Sequence, residues 1–172
     1  MSTITDISAK ETAAMLRSAL RAAYPGVRFS VRMDRGTAYG WISLTWEDGP
    51  TMSEVSELAG RYQGRRFDGQ DDSYRTMPTT LMAFAGENEP REVRFGCNGV
   101  AIHRRIGSLG WAAIATMLNR AQPGIAQLRT DGRGLTGGML EDEVAERLDV
   151  LPGPVDVAAA AWRLHCRMSF TP

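Results

Sequence analysis

Apolar and polar positions along the chain switch between helical and strand periods. Ser8-Ala9-Lys10-Glu11 has the form of a capping box, in which the serine hydroxyl accepts from a free backbone N–H and the glutamate reaches back. Met15, Leu16, Ala19, Leu20 and Ala23 follow at helical spacing, and Pro25-Gly26 ends the run. Val27, Phe29, Val31 and Met33 then alternate with Arg28, Ser30 and Arg32, the pattern of a half-buried strand with a cationic outer face. After the Asp34-Arg35-Gly36 turn, Ile42, Leu44 and Trp46 form the inward face of a second strand. Glu47-Asp48-Gly49-Pro50 breaks it, and Thr51-Met52-Ser53-Glu54 is a second capping box, opening a helix that buries Val55, Leu58, Ala59 and Tyr62.

An irregular, charge-dense loop follows, Arg65-Arg66-Phe67-Asp68-Gly69-Gln70-Asp71-Asp72-Ser73-Tyr74-Arg75. Strands are expected over 80–85, 92–97 and 100–106, the last two joined as a hairpin by Asn98-Gly99. Ser108 is placed to cap a helix carrying Leu109, Ala113, Met117 and Leu118. The pattern weakens after Pro123. Leu140, Val144 and Leu148 mark a short helix, and Pro152-Gly153-Pro154 separates it from a last helix with Val157, Ala161 and Trp162. The order αββαβββ followed by C-terminal helices implies an α+β fold, with helices packed on a mostly antiparallel sheet. A core domain over 1–107 is expected, with a helical extension over 108–172 packed on it, or with Trp162 and Leu164 docking elsewhere.

Composition narrows the function classes. At 172 residues with a 43% apolar share, the chain is long enough for a real core. Its 20 basic and 20 acidic residues cancel, which argues against a DNA-coating protein and against a wholesale acidic mimic of DNA. Lys10 is the only lysine, so either coding bias or a preference for bidentate arginine contacts shapes the surface. Cys97 and Cys166 are isolated thiols, expected to be buried and inert in a reducing compartment. No apolar run approaches the ~20 residues of a membrane helix. A cytoplasmic protein without membrane contact is expected.

Several spaced motifs carry a family resemblance. Lys10-Glu11-Thr12-Ala13, the run from Leu20 to Arg32, Trp46-Glu47-Asp48-Gly49-Pro50-Thr51, Phe67 to Tyr74, and Arg94-Phe95-Gly96 together resemble the large polyvalent protein associated domain, type twenty-nine, over residues 8–107. Gln70 stands where a more apolar residue would be expected, and residues 108–172 are not covered. The resemblance implies a protein of phages, plasmids or conjugative elements. Its implied role is helping incoming DNA establish itself, including by blocking host defences. It implies no catalytic residues.

Candidate chemistry is sparse. Asp68, Asp71 and Asp72 could ligate a hard cation, or could cap the turn, with Asp71 or Asp72 pairing with Arg65, Arg66 or Arg75. Gly132-Arg133-Gly134-Leu135-Thr136-Gly137 matches GxGxxG literally, but it lacks the parallel βαβ context of a dinucleotide site and reads as a surface loop. His103 and His165 are the only histidines, and neither has the spacing of a zinc site or of a Cys-His nucleophile. No metal or cofactor is expected.

The leading expectation is a non-enzymatic accessory protein that binds and inhibits a host nucleic-acid-targeting defence complex, such as a CRISPR effector. Its contact candidates are Arg65, Arg66, Asp68, Asp71, Asp72, Tyr74 and Arg75, with an acidic segment of Glu141, Asp142, Glu143 and Glu146. The alternative is a nucleic-acid-binding protein that grips phosphates with Arg28, Arg32, Arg94, Arg104 and Arg105 on one sheet face, with Tyr74 or Trp41 stacking on bases. Self-association into a homodimer is a further option.

Overall fold

The capping box at residue 8 forms as the sequence requires. In the computed structural model, which describes residues 4–84, 86, 88–150 and 155–170, the Ser8 N–H donates to Glu11 Oε2 at 2.9 Å and the Glu11 N–H donates to Ser8 Oγ at 3.3 Å. These bonds open helix α1 (Ala9–Ala23), and the Ser8 hydroxyl first, then the Ser8 N–H, both donating to Glu11 Oε2, hold the Glu11 carboxyl below its ordinary pKa. A short strand β1 (Thr5–Ile7), too brief for its period to be read from sequence, precedes it. Ala85 and the expected Pro152-Gly153-Pro154 break lie outside the described residues.

The chain divides into two compact units, Met1–Thr45 with Ser53–His103, and Trp46–Met52 with Arg104–Pro172. In the first, α1 buries Thr12, Ala13, Leu16 and Leu20 and packs along strand β2 (Ser30–Met33). Arg17 reinforces this contact by donating to the Val31 carbonyl at 2.8 Å. Strand β2 pairs antiparallel with β3 (Trp41–Glu47), Val31 opposite Leu44, and the expected period-2 burial of Ile42, Leu44 and Trp46 is observed. Helix α2 (Met52–Gly60) buries Val55 and Ala59.

The charge-dense loop is not irregular. It is an antiparallel hairpin of β4 (Arg65–Asp68) and β5 (Ser73–Thr76). Its strand period was hidden because most of its side chains face solvent, leaving no apolar alternation to read.

A second sheet sets β7 (Arg91–Phe95) between β1, parallel to it, and β6 (Thr80–Met82), antiparallel. Ile7, Val93 and Phe95 form its buried cluster. The Asn98-Gly99 hairpin does not form, because β7 belongs to this sheet while β8 (Gly99–Arg105) completes the order β2-β3-β8. Tertiary contacts claim the dipeptide instead. The Asn98 backbone N–H donates to the Gly40 carbonyl at 2.7 Å, its Nδ2 donates to the Tyr39 carbonyl at 3.1 Å, and Gly99 abuts the Trp41 indole so closely that a Cβ there would lie 2.7 Å from a ring carbon. The α+β class and the mostly antiparallel pairing stand, distributed over several small sheets.

The second unit is built on helix α3 (Ser108–Ala121) and helix α5 (Val157–Arg167). Gly107, not Ser108, occupies the N-cap of α3, and the buried helix face is Gly110, Ile114 and Leu118; of the expected stripe Leu118 is buried, while Leu109 and Ala113 are exposed. The missing side-chain cap comes from far away in sequence: Asp48 Oδ1 accepts from the N–H groups of Gly107 at 2.7 Å and Gly110 at 3.1 Å. A hairpin of β9 (Ala126–Leu128) and β10 (Leu135–Gly137) follows, so the GxGxxG match is an antiparallel turn running into β10 rather than into a helix. The short helix α4 (Asp142–Arg147) buries Val144 and Ala145. Together with Ile114, Leu118, Val150, Val155, Ala160 and Leu164 these make one apolar core. Trp162 stays 61% exposed while Leu164 is buried, and Cys166 is exposed rather than buried as expected.

Candidate functional site

Strand register brings the aromatic residues of the hairpin together. Phe67 lies opposite Tyr74, with ring centroids 5.3 Å apart, and Tyr74 meets Trp41 edge-on at 6.0 Å. Arg65 and Thr76, opposite each other and two residues along, share this face because side chains in a strand alternate. Phe67 and Tyr74 remain about half exposed, at 50% and 52%. The opposite face carries Arg66, Asp68, Ser73 and Arg75.

Arginine and aspartate lock the turn. Arg75 Nε lies 2.8 Å from Asp68 Oδ2 and its Nη2 lies 2.6 Å from Asp71 Oδ2, while the Gln70 N–H donates to Asp68 Oδ1 at 3.0 Å. Asp72 takes the left-handed conformation, φ 48°, that the reversal needs and that Asp tolerates better than most residues. Of the two readings of the aspartates, turn capping and pairing describes Asp68 and Asp71. Among the described residues no three His, Cys, Asp or Glu side chains are grouped to hold a metal ion. Arg65 and Arg66 are exposed and have no ion-pair partner among the described residues.

The other candidates are scattered. Glu141, Asp142, Glu143 and Glu146 are all exposed, but they lie at the start of and along α4 in the second unit. There Asp142 and Glu143 sit in the first turn, where carboxylates complement the helix dipole. The single arginine-bearing sheet face does not exist. Arg32 is on β2 and Arg94 on β7, in different sheets, and Arg94 lies 3.7 Å from Asp6. Arg28 is exposed ahead of β2, and Arg105 is exposed in the second unit.

Arg104 is a correction of a different kind, because it is only 8% exposed. Its guanidinium donates to four carbonyls, those of Asp48 at 3.2 Å, Gly49 at 3.0 Å, His165 at 2.6 Å and Met168 at 2.7 Å, and it lies over the Phe170 ring. This leaves no free fork for a phosphate. The same group anchors the turn at Asp48 and Gly49, which take φ 55° and 63°, to the chain end, where Gly49 and Phe170 form an antiparallel bridge. His165 is buried against Phe170, its ring stacked at 10° and neither ring nitrogen hydrogen-bonded. Burial first, then the Arg104 cation, pushes its pKa down to about 4. His165 faces inward and Cys166 outward, so they make no nucleophile pair. Burial likewise raises the pKa of the Cys97 thiol, which donates to the Tyr62 carbonyl at 3.0 Å.

Sequence reasoning did not single out Phe67, which pairs with Tyr74 on the hairpin, and missed the whole group around Arg104. The Trp46-Glu47-Asp48-Gly49-Pro50 run was its only visible signal: an Asp-Gly pair after a buried strand, closed by Trp46 Nε1 donating to the Pro50 carbonyl at 3.0 Å.

A family model described as large polyvalent protein associated domain 29 matches residues 7–107, more than half of the chain. The chain belongs to that family. It is therefore a protein associated with phages and other mobile elements. No curated protein and no solved structure matches it. The domain 29 match takes in the β4–β5 hairpin and the turn at Asp48, and it stops before α3. No described helix is long and apolar enough to cross a membrane.

Proposed function

We propose that this member of the family is a non-enzymatic accessory protein of a mobile element that docks on a host nucleic-acid-targeting defence protein, such as a CRISPR effector, and blocks it. The observation that carries the reading is the hairpin, where half-exposed Tyr74 and Phe67, in a row with the partly buried Trp41, share their face with the exposed Arg65, while Arg66 is exposed on the opposite face. Trp, Tyr and Arg dominate the energetic centres of protein interfaces. The Arg75 clamp holds the hairpin in one shape, so less conformational entropy is lost on docking.

Charge favours a protein over a nucleic acid as partner. The hairpin carries Arg65, Arg66 and Arg75 against Asp68, Asp71 and Asp72, a balance of zero, whereas a nucleic-acid groove needs a surplus of cations. The acidic residues Glu141, Asp142, Glu143 and Glu146 offer a separate anionic surface on α4 for an arginine-lined region of the same partner.

The test is establishment of a plasmid or phage in a host that carries the defence, with and without this protein. Wild-type protein should raise establishment. The Arg65→Ala/Tyr74→Ala double variant should lose the effect while keeping its circular dichroism spectrum, with affinity for the defence protein about 30-fold weaker or worse. A double variant as protective as wild type would refute the hairpin's role. Salt-sensitive binding of DNA or RNA at the hairpin, with no protein complex, would favour the nucleic-acid alternative.

A further inference from the structure

The second unit holds a cleft that the hairpin reading does not use. Its volume is about 700 Å³, within the ~300–1,000 Å³ of small-ligand sites, and every residue lining it belongs to that unit. Trp111 and Trp162 supply indoles, Arg105 and Arg133 supply cations, and Glu47 and Ser108 add a carboxylate and a hydroxyl. Trp162 is 61% exposed, an unusual state for the largest apolar side chain, and it packs at 5.9 Å on the buried His165 ring, which backs it without covering it. Arg105 and Arg133 are exposed, and neither has an ion-pair partner among the described residues.

Local structure fixes where Arg133 sits. It occupies the turn between β9 and β10, where the Arg133 N–H donates to Asp131 Oδ1 at 2.9 Å and the Arg129 N–H donates to the Gly134 carbonyl at 3.0 Å. The Arg133 N–H first, then the Arg129 guanidinium beside it, holds the Asp131 carboxyl below its ordinary pKa, so Asp131 remains an anion fastened to its own turn. Arg105 is the last residue of β8, next to the buried Arg104, whose four carbonyl bonds fasten the strand end.

We propose that this cleft binds a nucleotide, with the base stacked on the Trp162 indole and the phosphate held between Arg105 and Arg133. The pairing of features argues for that class. An apolar ligand would not need two unpaired guanidinium groups, and inorganic phosphate would not need an exposed indole; a nucleotide presents a flat π-face and an anion together. Glu47 and Ser108 are then the groups available to ribose hydroxyls. A free nucleotide and a nucleotide within a single strand present the same chemistry, and the probes below distinguish them. The literal GxGxxG motif contributes only its turn, which delivers Arg133, and not a dinucleotide fold.

The experiment is isothermal titration of the full chain with three probes: ATP, a short oligothymidylate and inorganic phosphate. Saturable binding of ATP or of the oligonucleotide is expected. Trp162→Ala should weaken it about tenfold, and Trp162→Phe should restore most of the loss. Arg105→Ala and Arg133→Ala should each weaken it and flatten its dependence on salt. Tyr74→Ala, in the other unit, should leave it unchanged, so failure here and failure of the hairpin reading are separable. Preference for ATP marks a free nucleotide, and preference for the oligonucleotide marks a single strand. No saturable binding of either, equal binding of inorganic phosphate, or binding indifferent to Trp162 and both arginines would overturn the proposal.

Discussion

Replacing Arg104 by alanine tests whether one buried cation organises the second unit. The guanidinium supplies donors to the carbonyls of Asp48, Gly49, His165 and Met168 at 2.6–3.2 Å. The Gly49 carbonyl keeps the Phe170 N–H at 2.8 Å, so its loss is small. The other three lose charge-assisted bonds in a buried setting, each worth about 1–1.5 kcal/mol after allowing for water entering the space. Arg104→Ala should therefore destabilise the protein by about 3–4 kcal/mol, a large share of the ~5–15 kcal/mol that holds a domain folded. At about 2–4 °C per kcal/mol the melting temperature should fall by about 10 °C. Arg104→Lys keeps the charge but not the flat fork, and should lose about half as much. Urea unfolding followed by circular dichroism gives the magnitude. Hydrogen exchange at the amides of Gly49 and Phe170, which bridge the turn to the chain end, gives the location. Destabilisation below about 1 kcal/mol with unchanged protection of those two amides would refute the reasoning.

Other consequences follow from the same contacts. His165 is buried and neutral with its pKa lowered from 6.5 to about 4, so the unfolded chain takes up its proton first on acidification. The His165 contribution to stability should be constant well above pH 6.5, fall by about 3 kcal/mol as pH drops from 6.5 to 4, and level off below; in His165→Phe this component should vanish, as denaturation curves of both proteins across that range would reveal. Gly110→Ala gains about 1 kcal/mol of helix propensity, yet its Cβ would collide with Asp48 Oδ1 and sit 3.0 Å from Ile106, so a net loss of about 2 kcal/mol in thermal unfolding is expected. Arg75→Ala breaks the ion pairs of the hairpin turn, but at 63% exposure these contribute little, so stability should change by less than about 1 kcal/mol. Exchange of the β4 and β5 amides should nonetheless quicken, which native-state hydrogen exchange would detect.

Legibility followed burial and sequence distance. The α1 capping box and the alternation in β3 were readable because both are local: a cap acts over three residues and a strand period over two. The β4–β5 hairpin was read as an irregular loop because most of its side chains face solvent, leaving no apolar alternation; the expected pairing of an arginine with Asp71 takes the form of Arg75–Asp71, whereas the second partner, Asp68, was not foreseen. The Asn98-Gly99 signal misled because two sheets compete for its flanks, and contacts to Tyr39, Gly40 and Trp41 outweigh the local turn preference. Arginines 28, 32, 94, 104 and 105 looked alike on paper, and only packing separated a buried anchor from exposed cations.

The sequence by itself determined the α+β class, the family over its first part, and the helices whose starts are written in adjacent residues. Tertiary structure alone decided that Asp48 caps a helix some 59 residues away, that Arg104 binds carbonyls rather than phosphate, and that Trp41, Tyr74 and Phe67 stand in a row. The physical reason is range. Propensity and capping act through neighbouring bonds, whereas the partner of a buried charge is whichever group the fold carries to it, and a buried charge without one costs several kcal/mol.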